Sequence, residues 1–342
     1  MTTSLSNEAR EELGKYHAGL AKSHGVKVDD VGKQFSVTPP NEKKIVKSMR
    51  ESLAAMTKIT VKTTDKTSGT AVRVGGGQVK GKRTDTKGGN RRQPTNLGGL
   101  TGSTWAAVDT EYDAAIDYDT IDEWVSDGNL VQELKTVRDH DIAMAKLTVG
   151  FYGESVAAEP DPVNNLLGED VNKGWAQILK EQKPENYMLE GATAGVIKIY
   201  GTNPDFANLD TLVNALYQAI PVHERTGNEV AIIGSALIAY DTDKMLEEHA
   251  GTPTEKEVMK VAGQKYAGLK AEQWPRFPDY GVWVTDPKNL QLIQVKGSVR
   301  RASKDEAEFS RLAEYTSSKD AYAIGNMNAC AMIDHTAVQL GD

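Results

Sequence analysis

Residues 67–104, TSGTAVRVGGGQVKGKRTDTKGGNRRQPTNLGGLTGST, hold ten glycines, seven Lys or Arg, one acid (Asp85) and no aromatic residue. A stretch with so little apolar surface cannot offset the entropy of ordering its own backbone. Loops of this length inside an ordered domain are usually functional or disordered. The window carries +6 (seven bases minus one acid) in a chain whose formal charge is −8, so the remainder carries −14. A basic, glycine-rich arm is expected to project from an acidic body. The simplest surface that could order it is another molecule, and the acidic body of an identical neighbour is available.

The other 304 residues (342 minus the 38 of the window) bound the rest of the reading. The whole chain is long enough for two or three modest cores. Its 26% charged and 39% apolar content is ordinary for a soluble globular protein. No apolar run approaches the ~20 residues of a membrane span. The N-terminal MTTSLSNEAREELG has no apolar h-region and does not read as a secretory signal. Cys330 is the single cysteine, which excludes an internal disulfide and a Cys/His zinc cluster and fits a reducing cytoplasm. The acidic balance argues against non-specific nucleic-acid binding by the body.

Hydrophobic periodicity predicts an α+β chain. An N-terminal helix opens at Ser6 or Asn7, carries Leu13, Tyr16 and Leu20 on one face and ends at Gly25. Its thin apolar stripe suggests a detachable helix rather than a core element. Phe35 to Pro40 is extended, and a helix from about Glu42 to Met56 follows. Lys58 to Lys62 is a strand. Val108 to Asp119 alternates, with Val108, Tyr112, Ala114, Ile116 and Tyr118 on one face and Asp109, Glu111, Asp113, Asp117 and Asp119 on the other. Thr120 to Glu123 reads as a capping box opening a long helical region, broken near Asp127-Gly128 and ending at Gly150. Further helices are expected at about 169–182, 209–220 and 235–249. A second capping box is expected at 254–257, and strands at 229–233, 282–284 and 290–295. Residues 321–333 are expected to return to the core of an earlier domain.

Each chemical motif has a bland reading that outweighs it. Gly76 to Arg83 nearly spells a phosphate-binding GxxxxGK[ST] loop, but Arg83 stands where the magnesium-binding hydroxyl belongs. The arm lacks the stacking aromatics of single-strand binders. The carboxylate row at 109–119 has no compact calcium loop around it. The six histidines are scattered, and Ser235 is not in a GxSxG elbow. Cys330 reads as a core thiol. Asp139, His140 and Asp141 read as a solvated or interface face. The chain therefore offers no catalytic, cofactor-binding or metal-ligating constellation and is expected not to be an enzyme.

Several segments, in order, resemble the major capsid proteins of P2-type tailed phages. They are Lys33 to Val37, Met49 to Ser52, Thr84 to Thr86, Arg92 to Pro94, Asp141-Ile142 and Gly150 to Gly153. Asn165, Leu167, Asp170, Val171, Gly174 and Trp175 continue the resemblance, as do Phe206 to Asp210 with Leu212-Val213, and Val230 to Gly234. Pro275 to Pro278 and Ser298 to Arg301 extend it into the last third. Each motif is short, but their order and spacing cover nearly the whole chain.

The resemblance implies an HK97-like capsid fold. Its expected parts are an N-terminal scaffold-like or processed segment at 1–35, an N-arm at 36–56 and an extended E-loop hairpin with flanking strands at 57–119. A peripheral domain with a long spine helix follows at 120–200, an axial domain at 201–296 and a return to the peripheral domain at 297–342. The implied function is a structural major capsid protein that self-assembles into pentamers and hexamers of an icosahedral head enclosing double-stranded DNA. The alternative is a nucleic-acid-binding protein using 67–104. Implied partners are other copies of the chain, a scaffolding protein, a prohead protease, a portal protein and packaged DNA bound without sequence specificity. No membrane partner or cofactor is implied. The chain would assemble in the host cytoplasm and reside in the virion. Processing is placed near Phe35 and Ser36. The inter-subunit contacts are placed on Arg83, Lys87, Arg91 and Arg92, facing an acidic surface that includes Asp109, Glu111 and Asp113.

Overall fold

The computed structural model describes residues 5–341 apart from 72, 75–80, 82, 94–97, 100–101 and 249–264. The helices follow their caps and stripes. Asn7–His24 is capped by the Ser6 hydroxyl, which accepts the Ala9 N–H at 3.1 Å, and Gly25 ends it with φ +69°. Leu209–Ala219 is closed by a reciprocal cap between Asn208 and Thr211. The long helical region divides into Tyr118–Ser126 and Leu130–Tyr152, and Gly128 takes φ +73° between them.

Local chemistry moved some boundaries. The expected capping box at Thr120 does not form. The first of these helices is capped three residues earlier, at Asp117, and that cap makes no side-chain hydrogen bond. The expected helix from 169 is confined to Trp175–Gln182. Residues 172–174 run against the end of the long helix, where a Cβ on Gly174 would lie 2.3 Å from the Val149 carbonyl oxygen. Such a close backbone approach leaves no room for a helical turn. The expected helix from 42 is two, Pro39–Ser52 and Ala54–Lys58, with Leu53 extended between them. The capping box expected at 254–257 lies outside the described residues.

The described chain divides into two units. The first comprises Met1–Ser68, Ala106–Gly174 and Gln291–Tyr322. Its seven-stranded sheet orders Phe35–Ser36, Arg300–Glu306, Arg311–Ile324, Leu290–Val295 and Thr60–Thr64, and Val108–Glu111 and Ala114–Asp117 also pair with the long strand Arg311–Ile324. Leu290–Val295 and Thr60–Thr64 run parallel, with Gln291 opposite Thr60 and Val295 opposite Thr64.

The second unit comprises Gly69–Trp105, Trp175–Leu290 and Ala323–Asp342. Its six-stranded sheet orders Lys265–Tyr266, Leu269–Glu272, Val230–Ile233, Val282–Thr285, Cys330–Ile333 and Tyr187–Met188. Ile197, Ile199, Leu212, Leu216, Val284 and Ile333 are among its core side chains. The sequence reading sent 321–333 to an earlier domain as one piece. Instead the stretch divides: the long strand belongs to the first sheet, and Cys330–Ile333 pairs antiparallel with Val282–Thr285 in the second. An apolar run fits either sheet equally well, and only the pairing partner distinguishes them. Cys330 is fully buried, and burial pushes its thiol up to about 12. Among the described residues, no helix is long and apolar enough to cross a membrane.

Candidate assembly interface

The basic segment is rooted by backbone. Arg73–Val74 pairs antiparallel with Gly98–Gly99. Gly102 then presses on Ala71, whose carbonyl oxygen would lie 1.9 Å from an added Cβ. Ser103 is fully buried and exchanges two hydrogen bonds with Ile324, donating its N–H to the carbonyl at 2.9 Å and accepting the Ile324 N–H on its hydroxyl at 2.7 Å. Beyond this root the charges face water. Arg83, Lys87, Arg91 and Arg92 are all exposed. Asp85, the one acid of the segment, accepts the backbone N–H groups of Lys87 at 3.0 Å and Gly88 at 3.2 Å, so it is used in a local turn. Among the described residues, none of the four cations has an ion-pair partner in its own chain. The near-match to a phosphate loop at 76–83 lies mostly outside the described residues.

The acidic strand face takes the alternation its sequence predicts. Asp109, Glu111, Asp113 and Asp117 are exposed, while Thr110 and Tyr118 are buried. The strand is interrupted at Tyr112 and Asp113, between Val108–Glu111 and Ala114–Asp117. There Asp113 accepts the Thr316 N–H at 3.1 Å. This carboxylate is partly engaged inside its own chain, unlike Asp109 and Glu111. Asp109 stands in register with the exposed Lys319, and Glu111 with Ser317.

Phe35 and Ser36 form a short antiparallel pair with Arg301 and Arg300. Phe35 is buried among Leu20, Ala21 and Val31, with its ring centroid 5.2 Å from that of His24. A protease could reach this bond only after the strand pair opens. The N-terminal helix is not loosely attached, contrary to the expectation from its thin stripe. Leu5, Ala9, Leu13 and Tyr16 pack with Tyr118, Ile121, Leu130, Leu134 and Leu312. The Tyr16 hydroxyl donates to Glu314 at 3.0 Å, and Arg301 holds the same carboxylate at 3.1 Å. Burial and the Glu314 charge push the Tyr16 phenol up to about 12. A narrow stripe suffices because the surface beneath it is apolar and supplies a polar partner for the one phenol.

Besides the buried Arg301–Glu314 pair, two further buried ion pairs among the described residues were not anticipated. Lys146 contacts Asp320 at 2.9 Å, with side chains 3% and 1% exposed. Ser318 and Tyr112 donate to the same carboxylate at 2.6 and 2.9 Å. The detectable signal was a lysine inside the apolar stripe formed by Ile142, Ala143, Leu147 and Phe151. Asp139, expected on a solvated or interface face, is buried and takes two hydrogen bonds from Arg138 on its Oδ1, at 2.8 and 3.1 Å. Its neighbour Arg138 was the clue. Among the described residues, no group of three or more His, Cys, Asp or Glu side chains is arranged to hold a metal ion.

Known proteins are similar to this chain along nearly its whole length. Residues 12–336 match the family described as phage major capsid protein, P2 family. The capsid protein of Escherichia phage P2 is 24% identical over 348 aligned residues, covering 99% of this chain and 96% of that protein. The major capsid protein of Serratia phage KSP20 is 23% identical, covering 96% and 97%. A solved structure of the satellite phage P4 procapsid including its size determination (Sid) protein superposes with a TM-score of 0.78. It is 23% identical and covers 97% of this chain and 98% of its own. The α+β fold is therefore the HK97-like capsid fold, and the chain belongs to the P2 family of phage major capsid proteins.

Proposed function

We propose that copies of this chain close into pentamers and hexamers of an icosahedral head around double-stranded DNA. In each ring the basic segment of one subunit lies on the acidic strand face of the next. The observation that carries this reading is the mismatch of charges within one subunit: four exposed cations without an ion-pair partner among the described residues, and exposed acids at Asp109 and Glu111. Head-to-tail contacts of this kind close by rotation. Each exposed pair contributes only about 0.2–1 kcal/mol. Repeated around a ring, such pairs also steer docking and reject wrong registers.

In this reading residues 57–119 serve as the E-loop with its flanking strands. The long helix is the spine of the peripheral domain at 120–200, and 201–296 is the axial domain. Residues 36–56 are the N-arm, and a prohead protease removes 1–35 near Phe35 and Ser36. A scaffolding protein guides assembly in the host cytoplasm, and a portal protein occupies one vertex. The protein is structural and performs no catalysis.

The test is expression with the phage's scaffolding protein followed by electron microscopy. Closed shells of uniform size are expected. A salt-sensitive DNA complex without shells would overturn the reading in favour of nucleic-acid binding.

A further inference from the structure

Within the first unit, a cavity of about 420 Å³ opens between the helices Asn7–His24, Pro39–Ser52 and Leu130–Tyr152. That volume lies within the ~300–1,000 Å³ of ligand-binding clefts. One wall is apolar, built from Gly19, Leu20, Ile45 and Val131, and Val131 is 48% exposed. The rim carries Lys44 and Lys135, both exposed and, among the described residues, without an ion-pair partner. Behind the lining lie unsatisfied polar atoms closed off from solvent. Arg301 is 4% exposed and its Nε has no hydrogen-bond partner, although its Nη2 is held by Glu314. Asp139 is 2% exposed and its Oδ2 is likewise unpartnered, as is the Nδ1 of His24.

Buried polar groups are rarely left unpaired, and each costs about 1–3 kcal/mol when it is. The unpaired set contains donors and acceptors, so a simple anion would leave Asp139 facing like charge. An extended segment presents carboxylates for Lys44 and Lys135 and apolar side chains for the Leu20–Val131 wall. We infer that this cavity is the docking site of an acidic, apolar-flanked segment of another polypeptide, and that it exists only while residues 1–35 are attached. The second half follows from the lining. Lys15, Tyr16, Gly19, Leu20, Ser23 and His24 form one side of the cavity, and all lie in the segment whose removal is proposed above. The coupling rests on that proposal. Cleavage would then remove one wall and release the bound partner.

The probe is a fluorescent amphipathic peptide of glutamate and leucine, with a lysine–leucine peptide as control, titrated against the full chain. Saturable binding of the acidic peptide alone is expected. Lys44→Glu with Lys135→Glu should weaken it on the order of tenfold at unchanged melting temperature. Gly19→Leu, which adds bulk where an added Cβ meets nothing within 4 Å, should block it without altering charge. No binding to the full chain, equal binding of both peptides, or binding indifferent to the rim reversal overturns the site. Self-association that displaces the peptide would assign the cavity to a second copy and also overturns it. If the peptide binds equally well to a chain lacking residues 1–35, the coupling fails while the cavity stands. Whether particles lose those residues is read separately by N-terminal sequencing.

Discussion

Lys146 and Arg91 are both cations at neutral pH, yet the fold treats them in opposite ways. Lys146 lies between the long helix and the long strand, touching Asp320 and Ser318, and almost no water reaches it. Arg91 lies in a segment with hardly any apolar residues, exposed and unpaired among the described residues. Desolvating a charge is expensive, so the buried pair is tolerated only because its carboxylate also receives two hydroxyl donors. Removing one partner there must disrupt the subunit. Removing Arg91 must leave the subunit alone and act only where a neighbour supplies the counter-charge. One set of charges holds the fold, and the other is left exposed, available for the contact between subunits proposed above.

The largest effect should come from the buried pair. Lys146→Met leaves Asp320 charged and uncompensated, and should lower subunit stability by about 3–5 kcal/mol. Adding Asp320→Asn to that variant should recover part of the loss. Denaturant titration of the assembly-free subunit checks both. A loss under about 1 kcal/mol would mean that water reaches the pair and the contrast with Arg91 is false.

The N-terminal helix should come next. Leu13 is 3% exposed in a cluster with Ile121 and Leu134. Leu13→Ala should cost about 2 kcal/mol, the low end for buried leucines, because the cluster is small and can partly collapse. An unchanged melting curve would restore the detachable helix that the thin stripe suggests.

A smaller effect is expected from pH. His17 and His24 are both held below the ordinary histidine value of 6.5, mainly by burial, and His24 also by the Arg301 and Arg138 charges. For a base with a lowered folded value, the unfolded chain binds the proton more readily. The stability these groups contribute is therefore complete above the unfolded value and is lost as pH falls below about 6.5. Protection factors of amides in the 7–24 helix, corrected for the intrinsic pH dependence of exchange, should fall between pH 7 and pH 5. The double variant His17→Gln with His24→Gln should flatten that dependence, and an unaltered slope would place the effect elsewhere.

The legibility of this chain follows the same division. Surface chemistry was readable, because alternation of acids with apolar residues at 108–117 and a glycine-rich basic run need no tertiary partner to be recognised. Helix 209–219 and strands 230–233 and 290–295 were readable from period and caps. What depended on a distant partner was not. The fit of Tyr16 against Glu314, the burial of Asp139 beside Arg138 and the anchoring of Ser103 on Ile324 join residues whose proximity no local pattern encodes. The division of 321–333 between two sheets failed for the same reason.

The account rests most directly on the exposed cations, and a charge swap tests them. The variants are Arg91→Glu with Arg92→Glu, then the same pair combined with Asp109→Lys and Glu111→Lys. The melting curve of the free subunit and the yield of closed particles are measured at low and high salt. The first variant should melt like the parent and lose particles, with a loss that depends on salt. The combined variant should regain much of the yield. A particle yield unchanged by Arg91→Glu with Arg92→Glu at every salt concentration would contradict the account, and the glycine-rich backbone would then have to carry the contact.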